Sequence, residues 1–206
     1  MNRVIVYVDG FNLYHGLKDK HARKYHWLDL ETLATSLLRP GQTLVQVRYF
    51  TARIRNQPAS ERRQNDYLSA LAAHCPNIQI VEGRFQERLS ICRSCHASWT
   101  TYEEKETDVN LALAIAQDAA LDRFDTAILI SGDADLRPAL RVARELGGSK
   151  RIIVAFPPRR RSDALREEAD ACFTIGDAKI RNAQLPEKVM LKTGLLIERP
   201  AYWRGR

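Results

Sequence analysis

The fold is decided by the stretch RVIVYVDGFN, residues 3–12. Residues 4–8 are continuously apolar, which is typical of a parallel strand covered by helices on both faces. Asp9 follows at the carboxyl end of this strand, where ligands of open α/β sheets collect, and Gly10 lets the chain turn sharply away. Asn12 can return towards the same site or cap the next helix. An Asx turn that merely closes the strand is the competing interpretation of Asp9.

Further apolar runs with the same character alternate with helical patterns along the chain. They predict strands at residues 44–51, 78–84, 126–130, 151–156 and 171–175, and helices at 28–38, 60–74, 107–121, 135–146 and 163–169. This alternation indicates βαβ units with right-handed crossovers. We therefore predict an α/β fold of three layers, Rossmann-like, with a central, mainly parallel sheet of five to six strands flanked by helices.

The chain of 206 residues divides into one domain and a tail. We expect residues 1–176 to form the domain and residues 177–206 a C-terminal extension that packs on it, because the strand and helix pattern fades there. Residues 88–104 break the rhythm with two cysteines, a histidine and a tryptophan. An inserted loop and a small hairpin both fit that segment.

Two more acidic motifs stand at the ends of predicted elements. Asp108 begins a helix for which Thr107 is a plausible N-cap, on the face that also carries the apolar positions 111, 115 and 119. Asp133 and Asp135 lie where the strand at 126–130 gives way to a helix. Helix capping and the helix dipole are the competing explanations for these residues.

The acidic motifs would form one site if the fold brings them together. The strands at residues 3–8 and 126–130 would bring them together if they are neighbours in the sheet, and such carboxylates would repel one another without a cation. Oxygen ligands suit Mg²⁺ or Mn²⁺ better than zinc. A site of this kind suits attack of water on a phosphodiester with the help of a bound metal.

Three motifs carry a resemblance to a known family: VDGFN at residues 8–12, EKETDVNLA at 104–112 and SGDAD at 131–135. Over residues 3–175 the chain resembles the NYN domain family of the PIN-like nuclease superfamily, and most closely its LabA-like branch. The resemblance implies a PIN-like fold and Mg²⁺- or Mn²⁺-dependent ribonuclease activity. It also implies the site residues: Asp9, Asp108 and Asp133 as metal ligands, with Asn12 and Asp135 as further catalytic residues. Arg137 stands where another carboxylate would have enlarged the acidic set, which leaves the number of ions open.

Two other functions stay open beside a ribonuclease. One is a catalytically silent RNA-binding or regulatory protein, and the other is a different metal- or cofactor-dependent enzyme on the same fold. For RNA binding, we expect phosphate contacts from basic residues near the site and stacking of single-stranded bases on aromatic side chains. The basic candidates are Lys105, Arg53, Arg84, Arg159 and Arg160; the aromatic candidates are Tyr14, Trp27, Tyr49 and Trp99.

Cys92 and Cys95 form a C-x₂-C motif, which is half of a tetrahedral zinc site. His96, His74, Cys75 or a second subunit are the candidates to complete it, and the last would make a homodimer. Two reduced structural thiols or a redox pair are the alternatives.

Charge and hydropathy indicate which partners and which cellular compartment to expect. The net charge is +7, yet residues 101–150 hold 6 basic and 10 acidic side chains. An acidic block inside a basic chain fits a cation pocket within a phosphate-attracting rim. No apolar run reaches 18 residues and no leader precedes the first strand, so we expect a cytoplasmic protein with reduced cysteines and no membrane partner.

Overall fold

The predicted strands lie side by side at the centre of the computed structural model. It describes residues 1–204, and for residues 85, 87, 88 and 101–104 the backbone alone. The main sheet contains β1 (Asn2–Asp9), β2 (Gln42–Ala52), β3 (Ile78–Ile91), β4 (Ser98–Lys105), β5 (Thr126–Ile130), β6 (Arg151–Phe156) and β7 (Ala171–Thr174). The helices are α1 (Gly10–His21), α2 (Leu30–Leu37), α3 (Pro58–His74), α4 (Thr107–Ala120), α5 (Arg137–Gly147), α6 (Asp163–Glu168) and α7 (Asp177–Asn182).

The sheet has seven strands in the order β4-β3-β2-β1-β5-β6-β7. Six of them are parallel, and β4 pairs antiparallel with β3 at the edge. The predicted fold class, an α/β sheet between helices, is therefore confirmed. β1 lies between β2 and β5, so the strand order reverses at β1, and the carboxyl ends of β1 and β5 are neighbours.

Alternate residues of β1 supply two separate halves of the core. Val4, Val6 and Val8 face a cluster that includes side chains of α1, α2 and α3. Ile5 and Tyr7 face the other cluster, which is formed with α4, α5 and α6. Burial on both faces explains why the strand is continuously apolar rather than alternating.

The segment 88–104 belongs to a hairpin, one of the two forms that the sequence allowed. The first part of β3, residues 78–83, pairs with β2, and its remainder pairs with β4 alone. The hairpin therefore extends β3 well past the predicted end at residue 84. Its outer half lies at the margin of the sheet, with Cys92 and Cys95 in the turn.

Helix boundaries differ from the predictions by a few residues where a side chain caps the chain. Asp29 caps α2, so this helix begins at Leu30 instead of residue 28. The helix expected from residue 135 begins as a 3₁₀ turn over Ala134–Leu136 and becomes α5 at Arg137. No bounds were predicted for α1, which follows Asp9 directly.

The C-terminal residues add α7 and a small antiparallel pair, β8 (Lys188–Met190) and β9 (Leu196–Glu198). Ile180, Leu185 and Trp203 are buried in the same cluster as the even-numbered side chains of β1. The division of the chain after residue 176 stays a prediction. Within residues 1–204, no helix combines the length and the apolar character that crossing a membrane requires.

Candidate metal centre

Three predicted acids converge at the carboxyl edge of the sheet. Asp9 ends β1, Asp133 follows β5, and Asp108 lies in the first turn of α4. One carboxylate oxygen from each lies within 4.8 Å of the others. Asp9 is buried, Asp133 is half-buried and Asp108 is exposed, so the cluster opens to solvent on one side.

Asp9 is held in place from two sides. Its Oδ1 accepts a hydrogen bond from the backbone N–H of Asn12 at 2.9 Å, and its Oδ2 accepts one from Ser131 Oγ at 2.7 Å. The first bond caps α1, so the Asx turn and the site residue are the same feature. Gly10 is required here because a Cβ at this position would lie 2.6 Å from the carbonyl oxygen of Phe50.

Ser131, which was not predicted as a site residue, connects the two strand ends. Its Oγ donates to Asp9 and accepts from the backbone N–H of Asp133 at 3.0 Å. The Asn12 side-chain oxygen accepts from the backbone N–H of Gly132 at 2.9 Å. Asn12 therefore positions the loop after β5. Its position in the turn between a buried strand and Asp133 could have indicated that Ser131 belongs to the site.

Asp133 and Asp135 have different surroundings. Asp133 Oδ1 accepts from the backbone N–H of Asp135 at 3.0 Å, so Asp133 caps the 3₁₀ turn that precedes α5. The Asp135 side chain is exposed and is not one of the three clustered acids. Its catalytic role stays a prediction.

The first turn of α4 places Asp108. Thr107 was expected as the N-cap, but it is the first helical residue, and Glu106 precedes it in the left-handed region with φ of 76°. Thr107 is buried against Gly83, where a Cβ would lie 2.5 Å from Thr107 Oγ1. The backbone N–H of Asn110 donates to the carbonyl oxygen of Glu106 at 2.7 Å, so the helix starts one residue earlier than an N-cap at Thr107 predicts.

A buried carboxylate ties α4 to the strands. Asp118 is fully buried and accepts a hydrogen bond from Tyr7 on β1 at 2.7 Å. Arg48 on β2 and Arg123 pair with it at 3.1 and 3.0 Å. Burial, and then the Asp118 charge, raise the pKa of the Tyr7 hydroxyl, so Tyr7 remains a hydrogen-bond donor. This network fixes the helix that carries Asp108 against the strand that carries Asp9.

Most of the predicted basic residues are engaged within the chain. Arg53 forms a two-bond ion pair with Glu82, at 2.9 and 2.7 Å. Arg84 pairs with Glu106 at 2.7 Å. Arg159 donates to the Asp19 carbonyl at 2.8 Å, and Arg160 forms an ion pair with the Asp19 carboxylate. Lys105 is exposed at the end of β4, close in sequence to Asp108.

A cavity of about 670 Å³ adjoins the cluster on the α1 and α3 side of the sheet. Gly10 and Phe11, which follow Asp9 directly, line it. Its other aromatic walls are Tyr14, Tyr49, Tyr67 and Trp203, and its cationic lining is Lys18, Arg55 and Arg63. Burial raises the pKa of Tyr49 to about 12, so this hydroxyl stays protonated.

Two aromatic residues expected to stack bases lie elsewhere. Trp27 is fully buried in the core and donates Nε1–H to the carbonyl of Pro186 at 2.8 Å. It therefore has no face for a ligand. Trp99 is half exposed, but on the hairpin.

The three cysteines considered for a zinc site lie in two places. Cys92 and Cys95 lie in the turn of the hairpin, while Cys75 is buried at the end of α3. Cys75 Sγ donates to Asp29 at 3.4 Å, and His74 lies 3.5 Å from the same carboxylate. Two of the residues considered for completing a zinc site thus belong to the α2–α3 region.

Residues 3–176 match the family model of the NYN domain. The chain belongs to the NYN domain family. This membership confirms the resemblance over nearly the same residues and places the chain in a nuclease superfamily. The LabA-like branch stays a prediction.

This NYN domain protein is similar to one named relative and, in fold, to one solved structure. A Pseudomonas putida (strain DSM 28022 / S16) protein named 6-hydroxy-3-succinoylpyridine 3-monooxygenase HspA is 29% identical over 177 residues, 69% of this chain. The aligned part is 55% of that protein, so the chain spans only about half of its length. A solved structure of a protein of unknown function from Vibrio parahaemolyticus RIMD 2210633 matches with a TM-score of 0.57 and 19% identity. The match covers 85% of this chain and 94% of the Vibrio chain. At this identity, it supports the fold alone.

Proposed function

We propose that this NYN domain protein is a metal-dependent ribonuclease that hydrolyses phosphodiester bonds of RNA. One observation carries the proposal: oxygens of Asp9, Asp108 and Asp133 lie within 4.8 Å of one another at the edge where α/β sheets bind ligands. Ligand oxygens around one Mg²⁺ ion, each about 2.1 Å from it, are roughly 3–4 Å apart. The donor set therefore fits Mg²⁺ or Mn²⁺.

Each residue of the site has a proposed part. Asp9, Asp108 and Asp133 hold the divalent cation, and Ser131 and Asn12 keep the two strand ends in register around it. A bound cation of this kind lowers the pKa of its water and stabilises charge on the phosphate. Asp135, exposed at the mouth of the site, orients the attacking water. Hydrolysis adds this water across one P–O bond, leaving a phosphate on one product and a hydroxyl on the other.

The cavity beside the acids supports a single-stranded substrate. Bases of a single strand stack on aromatic side chains, and Tyr14 is an exposed aromatic residue in the lining of the cavity. Arg55 and Arg63 supply positive charge in the lining of the cavity. Lys105, which is exposed and three residues before Asp108 in sequence, is proposed to contact the phosphate. These contacts position RNA without reading its sequence. We propose that the substrate is cytoplasmic RNA, since all four cysteines are free thiols.

A second candidate is an enzyme that oxidises an aromatic compound. Two observations favour it: the 29% identical relative is named a monooxygenase of a hydroxylated pyridine, and the cavity is rich in aromatic residues. Such a reaction would need an oxidant and a cofactor. It would not need three carboxylates converging beside the cavity, so the ribonuclease remains the better-supported proposal.

The test uses a fluorescently labelled single-stranded RNA with Mn²⁺ or Mg²⁺. We expect cleavage that stops with EDTA and returns when Mn²⁺ is added in excess. Asp9→Asn and Asp133→Asn should each lower the rate at least 100-fold, because each removes one charged ligand. Asp163→Asn makes the same change on an exposed carboxylate of α6 and should leave the rate unchanged.

The outcomes separate the candidate functions. Cleavage that survives EDTA or either ligand variant would overturn the proposed mechanism. RNA binding by gel shift with no cleavage under any metal would favour the silent binding protein. Turnover of 6-hydroxy-3-succinoylpyridine in the presence of oxygen and a reductant, without RNA cleavage, would favour the oxidising enzyme.

A further inference from the structure

The turn of the β3–β4 hairpin brings two thiols together. Hydrogen bonding from the backbone of Cys95 and Ser94, and from the Cys95 side chain, lowers the pKa of the Cys92 thiol. The backbone closes around them through the pairs Cys92 N–Ala97 O at 2.8 Å and His96 N–Cys92 O at 3.0 Å. Amide donors aimed at a sulfur stabilise its thiolate, which is the form that binds zinc.

This pair of thiols is half of a tetrahedral site. Among the described residues, no third His, Cys, Asp or Glu ligand atom groups with Cys92 and Cys95. His74 and Cys75 are held at Asp29 in another part of the molecule. A closed zinc site takes four ligands, so the missing two have to come from outside this hairpin.

The same hairpin exposes apolar side chains that a lone domain would normally bury. Leu89, Ile91 and Trp99 are 64%, 58% and 51% exposed. They stand on the outer part of the hairpin, where β3 pairs only with β4. Leu89 and Ile91 share one face of the hairpin, whereas Trp99 pairs with Ser90 and lies on the opposite face. Neighbouring exposed apolar side chains such as Leu89 and Ile91 mark an interaction surface.

We infer that two copies of this chain join through their hairpin turns around one structural zinc ion, bound by Cys92 and Cys95 of each copy. A two-fold axis through the ion makes both contributions identical, as closed dimers require. Four thiolates and Zn²⁺ carry a net charge of −2, which the exposed Arg93 of each copy offsets. Leu89 and Ile91, on one face of the hairpin, would be covered in the dimer. This inference does not depend on the ribonuclease activity.

The test measures zinc content and molar mass on the full chain purified in a reducing buffer. We expect one zinc ion per two chains by elemental analysis and a dimer by light scattering. A strong chelator should yield monomer, and added zinc should restore the dimer, so this readout requires no mutation. Co²⁺ in place of zinc should show the absorption of tetrahedral thiolate coordination.

Variants then locate the ion. Cys92→Ser with Cys95→Ser should lose both zinc and dimer, while Cys172→Ser on β7 should keep both. Asp133→Asn should also keep both, which separates this site from the acidic cluster. One zinc per monomer, a dimer that persists without zinc, a dimer broken by reductant, or no uptake of added zinc would each overturn the inference.

Discussion

At the scale of single residues, structural and chemical roles coincide. Asp9 and Asp133 each use one oxygen to cap the chain that follows them, and each still presents an oxygen to the cluster. Capping and metal binding are therefore not competing explanations. Both follow from placing a carboxylate where a parallel strand ends and a helix begins.

The first prediction concerns Ser131, whose hydroxyl joins Asp9 to the backbone of Asp133. Ser131→Ala removes a support of the ligands without removing a ligand. Loss of such outer contacts lowers metal affinity or activity by about 10–100-fold. We expect the Mn²⁺ concentration for half-maximal cleavage to rise, and excess Mn²⁺ to recover part of the rate. An unchanged Mn²⁺ dependence would show that Ser131 does not position the ligands.

The acids were predictable from sequence because each lies next to a recognisable element. The partners of the basic residues were not. Arg53 pairs with Glu82, and Arg160 pairs with Asp19, across distances in sequence that no local pattern encodes. A cationic residue near a site therefore predicts an available charge only after its ion pairs are known.

At the scale of secondary-structure elements, the buried strands were predictable and the solvated ones were not. β1, β5 and β6 are continuously apolar because helices cover both faces. In the outer half of β3, Arg84, Gln86, Leu89 and Ile91 are exposed, and the sequence mixes charged with apolar residues, so its pattern resembled a loop. The first residue of α4, Thr107, packs against Gly83 on β3, a contact that the local sequence does not encode.

The second prediction concerns the junction of α4 with β1. Asp118→Ala leaves Arg48 and the Tyr7 hydroxyl without their buried partner, and breaking a buried ion pair costs about 3–5 kcal/mol. Tyr7→Phe removes one hydrogen bond and should cost about 1 kcal/mol. Urea unfolding followed by circular dichroism measures both. Equal losses for the two variants would contradict a network centred on Asp118.

The third prediction concerns the pairing of Arg3 on β1 with Asp125, just before β5. Hydrogen bonds from the Arg3 side chain hold the pKa of Asp125 at about 2, below its ordinary value of 3.8. Between pH 3.8 and about pH 2, the folded state therefore binds fewer protons at Asp125 than the unfolded state does. The stability of the folded state falls as the pH drops through this range. Asp125→Asn should lower the melting temperature at pH 7, and this difference should shrink as the pH approaches 2. A difference independent of pH would exclude the ion pair as its cause.

At the scale of the whole molecule, residues outside the family match take part in its core. The match ends at residue 176, yet Ile180, Leu185 and Trp203 are buried with the side chains of β1. Short elements such as β8 and β9, with three residues each, leave no periodic signal in the sequence. Their contribution therefore becomes evident only from the packing.

The last prediction follows from the position of Trp203, which packs against the rings of Trp27 and Tyr67 and also lines the cavity beside the acids. Trp203→Ala removes a large side chain that is 7% exposed, and such changes cost about 3–5 kcal/mol. Met190→Ala, on the exposed side of β8, should cost less than about 1 kcal/mol. Because Trp203 forms a wall of the cavity, the first variant should also bind single-stranded RNA more weakly at temperatures where it remains folded. Wild-type stability in Trp203→Ala would mean that the C-terminal residues dock loosely and do not complete the core.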